Sequence, residues 1–258
     1  MKEFFEKIFG YVPSDITPQL FGWQHFLIMA FVAGAIIGFS FLFKNKSEKT
    51  KKRVLNISAI TIITLYIFDF FVQPFWDGDL VIGKLPFHIC TLVGVLIPFV
   101  NFNKKFSFMK MSVVVWAILA PLAWVIFPAN FLNRPVQIYS YPIVQSFVFH
   151  IFEIFWGVFM LVSGEVKLEW KKIWQPIVGL FPVAAWASLG QEMYYPGELG
   201  ENFLFLKTDI SAIAPQWMFI PALFIAACIA ISLLFLIYYC FIWGKQAKEK
   251  RKQKRALS

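Results

Sequence analysis

Long apolar runs separated by short charged segments define the chain. Seven of them, near residues 21–43, 54–75, 84–102, 107–127, 143–163, 172–195 and 213–243, are long enough to span a bilayer. A helix needs about 20 predominantly apolar residues to cross roughly 30 Å of hydrocarbon. The pattern therefore predicts an all-α, polytopic membrane helix bundle with seven transmembrane helices. The fourth run opens on a polar stretch, Ser107 to Lys110. Three parts follow: an N-terminal segment 1–20, a transmembrane domain 21–243 and a basic tail 244–258. In the first, Phe4, Phe5, Ile8, Phe9 and Tyr11 suggest a short interfacial helix. Lys2, Glu3, Glu6 and Lys7 interrupt it, so it does not read as a cleavable signal peptide.

Charge sets the expected orientation. Segments 44–53, 103–110 and 164–172 and the tail from Lys245 to Arg255 carry nineteen Lys and Arg. The intervening segments carry only five: Lys2, Lys7, Lys84, Arg134 and Lys207. Rich and poor segments alternate strictly, as seven spans require. The positive-inside rule then predicts an external N-terminus and a cytoplasmic C-terminus in the cell membrane. The formal net charge of +9 is thus topological and does not point to nucleic acid. The tail is expected to touch anionic lipid.

Composition agrees. Hydrophobic residues make up 59% of the chain and charged residues 15%, too few to cover a soluble domain of this size. The 32 Phe and 10 Trp suit lipid-facing surfaces and interfacial belts. No internal repeat is visible, which argues against an inverted-repeat transporter. The three cysteines, Cys90, Cys228 and Cys240, all lie in apolar runs and form no paired metal motif or disulfide framework. No cofactor motif is present, and nothing in the pattern fixes an oligomeric state.

Ionisable side chains inside spans are costly and are functional candidates by default. His25, Asp69, Cys90 and His150 come from four different spans, yet each lies about 6–11 Å below the expected outer boundary at roughly 1.5 Å per residue. Glu153 lies deeper, at about 15 Å. On the fifth span Ser146, His150, Glu153 and Gly157 recur at i, i+4, i+7 and i+11, one stripe expected to face the bundle. His88 and Cys90 are two apart and should point in different directions, so His150 is the better base for Cys90. Plainer roles compete. Cys90 can serve as a small packing residue, His88 as a span-end histidine bonded to a loop carbonyl, and His25 as part of an interfacial belt beside Trp23. Asp69 and Glu153 can be structural partners of a histidine or an amide.

Leu85-Pro86-Phe87-His88-Ile89-Cys90 resembles the Leu-Pro-Leu-His-Leu-Cys signature of the YwaF-like bacterial integral membrane proteins. The aromatic-rich stretch leading to His150 resembles that family's second His motif. Phe21-Gly22-Trp23-Gln24-His25 resembles its early His. The segment Gly200 to Lys207 resembles its Asn-Tyr-x-x-Leu-x-x-Lys loop, with Phe203 in place of the Tyr and Thr208 where a Pro often follows. The likeness runs in order through essentially the whole chain. That family is grouped with eukaryotic TMEM-type transmembrane acyltransferases that act on ether phospholipids through a cysteine. The resemblance implies acyl transfer on a membrane phospholipid, with Cys90 as nucleophile and His150 or His88 assisting.

The expected chemistry is a thioester at Cys90 formed in the outer half of the membrane. His150 takes the thiol proton and later activates a lysolipid hydroxyl or water. Asp69 or Glu153 orients the imidazole. Asn202 donates to an oxyanion or a headgroup, and His25 lines the substrate site. Two other classes compete. A metal-dependent lipid hydrolase would gather His25, His88 and His150 with a carboxylate around zinc, although the last span lacks the His pair usual for ceramidase-type enzymes. A non-enzymatic lipid-binding or transport protein would use the same polar pocket for a headgroup.

Overall fold

The computed structural model describes residues 2–15, 21–77, 85–127, 135–194 and 216–256. The described residues form nine α-helices: α1 (Lys2–Phe9), α2 (Trp23–Phe43), α3 (Glu48–Asp77), α4 (Ile89–Phe102), α5 (Lys110–Ile126), α6 (Tyr141–Val162), α7 (Trp174–Val178), α8 (Leu180–Tyr194) and α9 (Gln216–Ala256). Short 3-10 turns, Lys104–Met109 and Trp170–Lys172, lead into α5 and α7. Among the described residues the only extended pairing is one antiparallel bridge, Pro13 to Val136. The fold is all-helical, as expected.

Among the described residues, six stretches are long and apolar enough to cross a membrane: Trp23–Phe43, Glu48–Phe75, Lys104–Ile126, Tyr141–Val162, Trp170–Met193 and Ile220–Ile242. The run at 84–102 departs from the seven-span expectation. Its helix, α4, has 14 residues, so it rises only about 21 Å at 1.5 Å per residue. Pro86 lacks a backbone donor, and the N–H of Phe87 turns back onto the carbonyl of Leu85 at 2.7 Å. The chain therefore enters α4 through a non-helical turn that hydropathy alone reads as more span.

α5 is the central helix. Met111 through Ile118 are buried at consecutive positions, the mark of a helix enclosed on all sides. It packs on α4, α6, α7 and α9. Small residues allow the close approaches. A β-carbon on Gly157 of α6 would sit 2.8 Å from Ile118 Cγ1, and one on Gly179, between α7 and α8, 2.5 Å from Trp116 Cζ2. Trp116 also donates its indole N–H to the Pro176 carbonyl at 3.1 Å.

Around this centre α2 and α9 present wide apolar faces outward, including Phe31, Leu42, Ile237 and Phe241. In water such patches would be aggregation-prone; in a bilayer they are the lipid-facing surface. Cross-helix contacts fix the directions. The start of α2 meets the end of α5 through His25 and Val125, and the turn before α4 meets the middle of α8 through Pro86 and Trp186 and its C-terminal half through Phe87 and Gly190. α2, α4 and α6 therefore begin at one end of the bundle, here the Cys90 end. The basic segments 44–53, 104–110 and 167–172 lie at the other.

Candidate functional site

Leu85–His88 is pinned in place before α4 begins. The Trp186 indole of α8 donates to the Pro86 carbonyl at 2.8 Å. The Phe87 ring packs on Trp186 with centroids 5.1 Å apart. It also fills the space where Gly190 would otherwise carry a side chain. His88 is the N-cap of α4 in extended conformation, and its ring does not cap the helix. The Thr91 hydroxyl donates to the His88 carbonyl at 2.9 Å. Cys90 follows in the first turn as a half-buried free thiol.

Cys90 and Gly94 are one turn apart on the same face of α4. At Gly94 that face touches α6. A β-carbon there would collide with the Phe149 ring and lie 3.2 Å from Glu153 Oε1. Seven residues further on, Asn101 accepts a hydrogen bond from the Trp156 indole at 3.3 Å. Trp156 is likewise seven residues beyond Phe149, so α4 and α6 run parallel and in register along this seam. Cys90 sits one turn nearer the Cys90 end, at the level of Ser146 and the His150 ring.

The α6 stripe faces the bundle interior, with His150 and Glu153 buried. His150 Nδ1 donates to the Ser146 carbonyl at 2.6 Å. In the neutral ring this places the proton on Nδ1 and the lone pair on Nε2. The imidazole lies flat on Trp124 of α5, with centroids 4.1 Å apart and planes 4° from parallel. Trp124 is in turn held edge-on by Phe147. The expectation that Asp69 or Glu153 orients the imidazole is corrected here, since a backbone carbonyl does so. Among the described residues, no hydrogen bond joins Cys90 to His150. The two occupy the same depth, with Cys90 on the face toward Glu153 and His150 turned toward α5.

Glu153 is fully buried, and neither carboxyl oxygen has a hydrogen-bond partner. Its carboxyl lies within electrostatic reach of the Cys90 thiol. A desolvated carboxyl without donors is costly.

The other expected residues stand apart. His25 is buried, with Nδ1 accepting from the Phe21 N–H at 3.1 Å and Nε2 donating to the Val125 carbonyl at 3.0 Å. Both ring nitrogens are spent on backbone, so His25 ties α2 to α5 and holds Phe21 at φ 57°. Asp69 is buried on α3 and interacts electrostatically with Tyr66 and Tyr141. α1 covers this region, with Phe9 packed on Phe68 and Tyr141 and Phe5 stacked on Phe75. Asn202 lies outside the described residues. Among the described residues, no three His, Cys, Asp or Glu side chains gather so as to hold a metal ion, so the three histidines are not assembled as a zinc hydrolase would need. Gly94, Trp124 and Trp186 carry no polar periodicity that could have singled them out from the sequence.

The fold and its exposed apolar helices define a polytopic, all-helical membrane protein with a cysteine and a histidine–glutamate stripe inside the bundle. Residues 20–239 match the TMEM164 family, and the chain belongs to that family. No curated protein and no solved structure matches it.

Proposed function

We propose that this protein is an integral membrane lipid acyltransferase or acyl hydrolase that works through a thioester at Cys90. The observation that carries the reading is the seam between α4 and α6. It puts the stripe of Cys90 against the polar stripe of α6, at the depth of an imidazole whose Nε2 lone pair is available. A thiol in an apolar bundle reacts only with a base nearby. His150 is that base. It reaches the thiol, or a hydroxyl between the two, when substrate is bound, because catalytic hydrogen bonds are often open in the unliganded enzyme. His88, two residues from Cys90, is the second candidate for assistance. The apolar interior holds acyl chains, and Asn202 contacts the oxyanion or headgroup.

The reading extends to placement. α4 together with the turn before it completes a seventh crossing, with the Cys90 end external and the basic end cytoplasmic in the cell membrane. The substrate is a membrane phospholipid of the outer leaflet, and the basic tail 244–258 meets anionic lipid. The same reading groups the chain with the YwaF-like bacterial proteins that its sequence resembles. The test is mass spectrometry of purified protein incubated with phospholipid in nanodiscs. An acyl adduct on Cys90, absent from Cys90→Ala, is expected; turnover that survives Cys90→Ala would overturn the reading.

A further inference from the structure

α2 and α3 follow each other after a short turn, yet α2 packs mainly on α6 and touches α3 little. Between the two helices lies a cavity of about 260 Å³, floored by α6. Phe39 and Phe43 of α2, Val54 and Ile57 of α3, and Phe152 and Phe155 of α6 line it. Phe39 and Ile57 are exposed, so the cavity opens toward the lipid-facing surface. The hydroxyl of Ser58, also in the lining, is spent on the Val54 carbonyl at 2.9 Å. The walls are therefore apolar, and a water, which needs two to four polar partners, finds none there. Along α2 the cavity runs from Ala35 to Phe43, about 12 Å at 1.5 Å per residue, and ends at the basic end of the bundle. Its shape and lining suit a hydrocarbon chain.

Charge at the mouth selects the lipid. On α3, Ile57, Arg53 and Lys49 recur at four-residue steps, so the lining face continues into two cations. After α2, the turn brings in Lys46, whose N–H bonds to the Phe43 carbonyl at 3.0 Å. Two neighbouring cations are engaged locally: the Lys44 ammonium lies 3.6 Å from the Phe41 ring centroid, and Lys51 pairs with Glu48 at 2.8 Å. Lys46, Lys49 and Arg53 are exposed and, among the described residues, join no ion pair. We propose that the cavity binds one anionic phospholipid of the leaflet at the basic end, an acyl chain lying in it and the phosphate among Lys46, Lys49 and Arg53. Basic charge alone attracts anionic lipid to a whole membrane face; the apolar cavity beneath these three cations gives one molecule a fixed place. The Arg53 guanidinium suits a phosphate, which it can hold through two parallel hydrogen bonds. The chain fills the space between α2 and α3 and ties the outward-facing α2 to the bundle. The site lies at the opposite end from Cys90 and requires no chemistry there.

The experiment uses the full chain purified in detergent, with phosphatidylglycerol and phosphatidylcholine of identical acyl chains as probes. Native mass spectrometry reads the bound lipid, and a melting curve reads its effect. Phosphatidylglycerol should be retained as a single adduct, at least about tenfold more tightly than phosphatidylcholine, the scale set by several cations near one anion. It should also raise the melting temperature, because a ligand that binds only the folded state stabilises it. Lys46→Gln, Lys49→Gln and Arg53→Gln combined should erase the preference. Lys104→Gln, Lys105→Gln and Lys110→Gln combined remove the same charge from the next basic segment and should keep it. Ala35→Trp fills the cavity while leaving every charge in place, and should abolish both the adduct and the melting shift. A phosphatidylglycerol with a diazirine at its chain end should crosslink to α2, α3 and α6 around the cavity in the wild type and not in Ala35→Trp. Equal retention of the two lipids, a preference lost equally in both triple variants, or an adduct that survives Ala35→Trp would overturn the inference.

Discussion

The Trp124 indole lies flat against the His150 imidazole, 4.1 Å between centroids and 4° between planes, while Ser146 holds the opposite edge of the ring through Nδ1. The two contacts fix both the plane of the imidazole and the direction of Nε2. An aromatic pair of this kind contributes about 0.5–1.5 kcal/mol beyond area burial. Trp124→Leu should therefore lower Cys90-dependent lipid turnover roughly two- to tenfold through a mispositioned ring. Trp124→Phe should retain most of it. His150→Ala, which removes the base, should cost roughly 10²–10⁴-fold. Turnover measured in nanodiscs checks the order; equal losses for Trp124→Leu and His150→Ala would mean that the tryptophan does more than support the ring.

Gly94 gives a prediction about stability and not chemistry. A β-carbon there collides with the Phe149 ring, and overpacking of a filled interior typically costs about 1–3 kcal/mol. Gly94→Ala should lower the melting temperature in detergent, and Gly94→Val should lower it further. Phe149→Leu should recover part of the loss in the Gly94→Ala background, because the clash is with that ring. An unchanged melting temperature for Gly94→Val would show that the α4–α6 seam is looser than the packing at Gly94 indicates.

Much of this arrangement was legible in the sequence, and the reasons are physical. Spans announce themselves by hydropathy, because each lipid-exposed helix must be apolar over its whole length. The Ser146–His150–Glu153–Gly157 stripe was legible because a regular helix repeats every 3.6 residues. α4 was misread in length because Leu85–His88 is as apolar as a helix, and its turn is held by Trp186 and Gly190 from a hundred residues away. The same limit hid Trp124 and the Ser146 carbonyl as the supports of His150, since tertiary stacking leaves no local pattern. His25 looked like an interfacial residue beside Trp23, yet it is buried and bridges two helices.

The nineteen-to-five division of Lys and Arg leads to a topological prediction. Tags in 44–53 and at the C-terminus should be protected in intact cells, and a tag in 128–142 should be accessible. α4 is the element that decides the count. If it does not cross, the basic segment 103–110 falls on the external side and 128–142 on the side of 44–53, and the alternation breaks. Single-cysteine accessibility mapping at 46, 104 and 139 in a Cys-free background distinguishes the two arrangements. Reagent reaching 46 and 139 from the same side would remove the seven-span topology.

The chemistry of the three cysteines can be separated by position. Cys228 and Cys240 lie on α9, where the helix turns a broad face to lipid. Cys90 alone lies in the first turn of a helix whose face meets a buried carboxyl and, at the same depth, a histidine. Cys228→Ala and Cys240→Ala should change turnover little. Cys90→Ala should abolish it while leaving membrane insertion intact, because one thiol is lost from a half-buried site and no packing is rebuilt. Cys90→Ser should be nearly as inactive, because an alcohol is far less acidic than a thiol and the lone imidazole would have to remove a proton it holds much more tightly. A thiol-reactive lipid probe should therefore label the wild type at Cys90, fail on Cys90→Ala, and label more slowly when His150 is replaced by Ala. Labelling of Cys90 at an unchanged rate in His150→Ala would separate the two residues functionally. It would shift the assisting role to His88 at the N-cap, and replacing His88 by Ala should then give the rate loss that His150→Ala did not.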